Sequence, residues 1–274
     1  MTDTLAARGV TLGYDGHVVA TDLDVIVPAN SFTAIIGPNA CGKSTLLRAL
    51  SRLLAPTAGT VVLDGRSIAE YSTRDVARRL GLMPQSSVAP AGITVADLVA
   101  RGRFPHQTWL RQWSQDDERV VLAAMTQAGV ADLADQPVDQ LSGGQRQRVW
   151  LALVLAQETS VLLLDEPTTF LDIAHQIEVL RLCRRLHARG GTTLVAVLHD
   201  LNMAFRYADH VVAMKDGRVV TTGTPDEVGT AELVSSIYDV ECVCIPDPVT
   251  GRPMVIPLDT DPRPTAAIDD EGAA

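Results

Sequence analysis

Short runs of β-branched and apolar residues, each bounded by Gly, Asp or Pro, dominate the first third of the chain. HVVATDLDVIV from His17, FTAIIG from Phe32 and TVVLDG from Thr60 therefore predict strands. Directly after Gly42, the leucines of KSTLLRALSRLL recur at helical spacing and predict a helix. From about Ser86 the pattern changes. Pro90, Gly92, Pro105 and two tryptophans interrupt it before DDERVVLAAMTQAG turns helical. This predicts a mostly helical subdomain, about residues 86–158, inserted in the rest. VLLLD from Val161 and TLVAVLHD from Thr193 predict further strands. Between them DIAHQIEVLRLCRRLHARG predicts a helix that ends on Gly190 as its C-cap. Strand, helix, strand in that order means a βαβ unit and a parallel sheet. VVAMKDGRVVTTG reads as a hairpin turning at Asp216-Gly217. Residues 1–258 are expected to form one domain. Residues 259–274 are Pro-rich, acidic and without apolar periodicity, and are expected to be disordered.

The 274 residues suffice for a well-buried core, and 46% hydrophobic with 20% charged residues is an ordinary globular balance. A net charge of −10 disfavours a surface that tracks a nucleic-acid backbone. Cys41, Cys183, Cys242 and Cys244 are too few and too scattered for a disulfide framework and read as reduced thiols. Cys242 and Cys244 form a CxC pair with no further ligands nearby in sequence. The N-terminus shows no signal-peptide core, and the strongest apolar run, VWLALVLA from Val149, is far short of the roughly 20 residues that span a bilayer. Any membrane link is expected through a partner.

Three motifs carry chemistry. Gly37-Pro38-Asn39-Ala40-Cys41-Gly42-Lys43-Ser44-Thr45 fits GxxxxGK[ST], in which a turning backbone aims N–H groups at phosphate oxygens ahead of a helix N-terminus. Lys43 would pair with the β/γ-phosphates and Ser44 would ligate Mg²⁺. Ala40 stands where many such loops carry Gly, and a positive φ there would cost about 1 kcal/mol. The second motif is the strand Val161–Leu164, which ends in Asp165 and Glu166, at the carboxyl edge where parallel sheets place ligands. Asp165 would hold Mg²⁺ and Glu166 would act on the attacking water as general base. In the third, Ser142-Gly143-Gly144-Gln145 opens a helix and offers a second anion site with an N-cap hydroxyl and free N–H groups. One phosphate does not need two such sites from one chain, so a second copy of the chain would use it.

LSGGQRQR placed between the phosphate loop and VLLLDEPT resembles the signature of the ATP-binding cassette ATPases, and the resemblance runs from Tyr14 to about Pro257. It implies an α/β fold: a P-loop NTPase (RecA-like) core, an N-terminal antiparallel β subdomain and an inserted helical subdomain. It implies ATP hydrolysis with Mg²⁺ by a head-to-tail homodimer. Tyr14 would stack on adenine, and Gln85 would touch Mg²⁺ and the lytic water. Asp172 would report across the dimer, and His199 would sense the γ-phosphate. The stretches LDEPTTFLDIAHQIEVL and LHDLNMAFRYADHVVAMKDGRVVTTGTP resemble the ATPases of importers for ferric siderophores, haem and cobalamin. Such a subunit would sit peripherally on the cytoplasmic face of the membrane. It would bind integral permease subunits there and serve an extracytoplasmic substrate-binding protein indirectly. The alternative is a soluble ATPase of the same superfamily acting in translation or DNA repair. Those usually carry two cassettes or a coiled-coil insertion, and neither is visible here.

Overall fold

The computed structural model describes residues 4–85, 88–107, 113–169 and 171–258; the expected acidic tail and the start of the inserted segment at Ser86 lie outside them. The chain opens with β1 (Leu5–Tyr14) and β2 (His17–Val27), joined by a tight turn. β3 (Phe32–Ile36) leads into α1 (Lys43–Leu50), followed by β4 (Ala58–Leu63), the short β5 (Arg66–Ser67), α2 (Thr73–Arg79) and β6 (Leu80–Met83). Helices α3 (Val95–Ala100), α4 (Gln115–Gln127) and α5 (Gly143–Ala156) come next. Then follow β7 (Val161–Asp165), α6 (Ile173–Gly190), β8 (Thr193–Val197) and α7 (Leu201–Tyr207). The hairpin β9 (His210–Lys215) and β10 (Arg218–Gly223), α8 (Pro225–Val228), α9 (Ala231–Tyr238) and the hairpin β11 (Cys242–Pro246) with β12 (Pro253–Pro257) complete the described chain.

A six-stranded sheet, in the order β10-β9-β3-β8-β7-β6, forms the centre. All its neighbours pair in parallel except the edge pair β10–β9. Its inner strands are apolar on both faces because both faces are covered. Phe32, Ala34 and Ile36 of β3 join Leu162 and Leu164 of β7 in a core against α6 and α7. The intervening Ile35, Val161 and Leu163 join α1 and the antiparallel sheet β2-β1-β4-β5 in a second core. This is the period-two alternation of a strand buried twice. A third core unites α3, α4 and the face of α5 that carries Val149, Ala152 and Ala156, while Leu151 and Val154 of the same helix pack on the central sheet. No helix among the described residues is long and apolar enough to cross a membrane.

Three local expectations need correction. The helix after Gly42 stops at Leu50 instead of running to Leu54, because Arg52 turns left-handed (φ 64°) and the N–H groups of Leu53 and Leu54 bond back to Arg48. The C-cap of α6 is Gly191 (φ 63°), one residue beyond Gly190. The hydrophobic pattern also predicts no strand at β1. Its pairing with β2 is shifted at three points between Ala7 and Gly13, so the inward residues do not alternate regularly.

Candidate functional site

The phosphate-loop segment links β3 to α1. Among the described residues all eight other helices start on a Ser, Thr or Asp whose side chain caps a backbone N–H; α1 starts on Gly42 (φ 100°) with no side-chain cap. In α4, α5 and α8 the cap is a full capping box. The first N–H groups of α1 are thus left for a ligand, and the helix dipole favours an anion there. Lys43 is buried at the loop's centre, its Nζ donating to the carbonyls of Gly37 (2.8 Å) and Pro38 (2.7 Å). Thr45 and Cys41 are buried beneath it, and burial pushes the Cys41 thiol up against the pull of Lys43.

Ala40 has φ 62°, the conformation that made it questionable as a sequence choice. Its side chain is exposed, so the methyl group buries nothing in return. Ala40→Gly is therefore expected to stabilise the chain by about 1 kcal/mol without weakening nucleotide binding. Chemical denaturation with calorimetric titration checks both halves.

β7 delivers the two carboxylates to the same edge. Ser44 Oγ donates to Asp165 Oδ1 at 2.9 Å. Burial raises the Asp165 carboxyl and the neighbouring Glu166 charge adds to this, with the Ser44 hydrogen bond opposing. A buried carboxylate and a hydroxyl this close are hard oxygen donors, and they fit Mg²⁺, which completes its shell from phosphate and water. Glu166 sits at φ 53°, a left-handed turn that costs a non-glycine residue on the order of 1 kcal/mol. Its carbonyl is held by the Thr169 N–H and by Gln147 Nε2, both at 3.2 Å. Its carboxylate contacts His199 Nε2 (2.5 Å) and accepts from Gln85 Nε2 (2.8 Å) and Thr169 Oγ1 (3.1 Å). Burial alone would raise this carboxyl; the bond and charge of His199, with Thr169 and Gln85, outweigh it and hold it below its ordinary value. An ionised carboxylate results, held by His199, Gln85 and Thr169.

The structure thus joins Lys43, Ser44, Gln85, Asp165, Glu166 and His199 around one edge of the sheet. Tyr14 stands at the end of β1, more than a third exposed, its Oη accepting from Arg48 of α1 at 3.4 Å. Ser142 and Asp172 stay out of the cluster. Ser142 forms a reciprocal capping box with Gln145 at the exposed start of α5, ahead of Gly143 and Gly144, and Asp172 caps α6 and bonds His175 Nδ1 at 2.8 Å. Gln147 and Thr169 carry no expectation from sequence. Both lie inside recognisable motifs, but only the folded turn shows that they pin Glu166. Cys242 and Cys244 are free thiols, and no group of His, Cys, Asp and Glu among the described residues is arranged to hold a metal by itself.

A phosphate loop between a buried parallel strand and an uncapped helix, with paired carboxylates on a nearby strand end, defines a P-loop NTPase core. The family described as "ABC transporter" matches residues 20–169. The ferric enterobactin transport ATP-binding protein FepC of Escherichia coli K12 is 55% identical over 94% of this chain and 96% of its own length. A putative metal-chelate type ABC transporter, solved in an inward-facing conformation, superposes with a TM-score of 0.80 at 25% identity, over 94% of this chain and 98% of that one. A dimeric bacterial ABC transporter cassette superposes with a TM-score of 0.73 at 26% identity, over 80% and 98%. The chain belongs to the ABC transporter family, as one of its ATPase cassettes.

Proposed function

We propose that this chain is the ATP-hydrolysing subunit of an importer that takes up a ferric siderophore through a separate membrane permease. The observation that carries the catalytic half is the Glu166 carboxylate, ionised and fixed between His199, Gln85 and Thr169 beside the Ser44–Asp165 pair. The name of the Escherichia coli relative supports the cargo, and the metal-chelate transporter supports the class.

In this reading two copies face head to tail. Lys43 and the N–H groups of the loop and α1 bind the β- and γ-phosphates, and Tyr14 stacks on the adenine. Ser44, Asp165 and Gln85 would hold Mg²⁺, which when bound would neutralise charge on the phosphate oxygens. Glu166 orients the attacking water and takes its proton, and His199 holds the Glu166 carboxylate in place. The Ser142 helix start of the second copy meets the γ-phosphate, and Asp172 lies near the same junction. ATP thereby closes the pair, and hydrolysis removes the shared anion contacts and opens it. The cassettes sit peripherally at the cytoplasmic face, where the helical segment passes the motion to the permease, and the extracytoplasmic binding protein is served indirectly.

Two measurements test the proposal. Lys43→Ala is expected to weaken ATP binding by about tenfold or more, and unchanged affinity by calorimetry counts against the phosphate-loop role. Disruption of the gene is expected to abolish ferric siderophore uptake, restored by the wild-type chain and not by Lys43→Ala. Undiminished uptake of iron-loaded siderophore overturns the cargo assignment.

A further inference from the structure

Helix α6 has two unlike faces. Val179, Leu182 and Cys183 point into the core below the central sheet. Arg181, Arg184 and Arg185, at helical spacing on the other side, are exposed. They form one wall of a groove of about 460 Å³, closed by Arg206 and Tyr207 at the end of α7 and by Thr250 in the β11–β12 connection.

The third wall is firmly built. Buried Asp247 accepts from Arg206 Nε (2.7 Å) and from the N–H of Val249 (2.8 Å), and its own N–H and carbonyl bond Arg252 and Gly251. The Val249 N–H, with Arg206 against the effect of burial, holds this carboxyl at about 2, so it stays charged and keeps the loop folded. Arg206 is thereby neutralised. The neighbouring acids are engaged as well: Glu178 lies 3.8 Å from Arg148, and Asp209 lies 3.3 Å from His187. Among the described residues, no ion pair or hydrogen bond involves Arg181, Arg184 or Arg185. Three unpaired guanidiniums therefore crowd one concavity in a chain of net charge −10. Their planar forks match carboxylate and phosphate oxygens two at a time, and the groove has the size of a small-ligand site.

We infer that the groove between α6, α7 and the β11–β12 loop binds a small organic polyanion, a polycarboxylate or phosphate ester, and that its occupancy modulates ATP turnover. The second half rests on the ATPase reading above. α6 begins at Asp172, shortly after Glu166, and α7 is capped by Asp200, the residue after His199, so a ligand clamping the two helices bears on both ends of the Glu166–His199 contact.

The test titrates citrate and, separately, 2,3-bisphosphoglycerate into the full chain at about 0.15 M salt, so that loose surface attraction is screened. Saturable binding is expected for at least one of them. It should weaken about tenfold in Arg181→Gln/Arg184→Gln and persist in Lys43→Ala, which separates this groove from the phosphate loop. The preferred probe distinguishes a carboxylate ligand from a phosphate ester. No saturable binding, or equal binding in the double variant, overturns the site. ATP turnover at fixed free Mg²⁺ should change with the bound probe in the wild-type chain and not in the double variant; binding with unchanged turnover overturns the regulatory half.

Discussion

Substituting Glu166 by Gln is expected to lower ATP turnover by a factor of about 10² to 10⁴, the range a general base contributes, while ATP affinity stays within a few-fold. The geometry makes this a clean removal of basicity. One carboxylate oxygen accepts from Gln85 Nε2 and Thr169 Oγ1, and the other meets His199 Nε2. A glutamine can keep its carbonyl oxygen on Gln85 and Thr169 and turn its amide toward His199, whose imidazole accepts in its other tautomer. The left-handed turn is held through the Glu166 carbonyl, which the substitution leaves untouched. Bound ATP should then persist and the closed pair accumulate, seen as a dimer by size-exclusion chromatography at saturating ATP. A monomeric variant with wild-type turnover would refute the role. Acid titration adds a check of sign. The folded carboxyl lies below its ordinary value of 4.5, so its contacts stabilise the wild-type fold above that pH and are lost as pH falls through the depressed value. The difference in stability between wild type and Glu166→Gln should therefore shrink in acid below about pH 4.5, as measured by urea denaturation across pH.

What the sequence made legible depended on how locally each feature is encoded. Strands β3, β7 and β8 announce themselves because burial on both faces demands unbroken apolar runs. The phosphate loop is legible because its work is done by contiguous backbone, and even the strain at Ala40 follows from one residue's chirality. β1 escaped because bulges break the alternation on which such readings rely, and the early end of α1 is set by a left-handed Arg52 that helix propensity does not foresee. Gln147 and Thr169 escaped for another reason. Their partner is the carbonyl or carboxylate of Glu166, presented at a strained turn, and no periodicity encodes such a contact. The arginine face of α6 is plain in LRLCRRLHARG, but the concavity exists only once the chain returns at Thr250.

Gly37→Ala is expected to damage both fold and nucleotide binding, by about 3 kcal/mol or more of stability and at least about tenfold in ATP affinity. A Cβ there would lie 2.1 Å from the carbonyl oxygen of Met214 and 2.9 Å from Cys41 Sγ, and the backbone (φ 148°) lies where L side chains rarely go. Neither neighbour can yield cheaply. Met214 belongs to β9, whose Ala213 is registered against Ile36 of β3, so retreat would pull two central strands apart. The Gly37 carbonyl also anchors Lys43 Nζ, so any shift of the loop moves the ammonium proposed to grip phosphate. Gly16 supplies the control. It has φ 84°, and a Cβ added there would meet nothing within 4 Å, so Gly16→Ala should cost only the left-handed penalty of about 1 kcal/mol and leave ATP affinity intact. Urea denaturation and calorimetric titration of the two variants separate the effects. Equal losses in both would mean that backbone conformation alone decides, and that the close packing of the loop against β9 contributes nothing to holding phosphate.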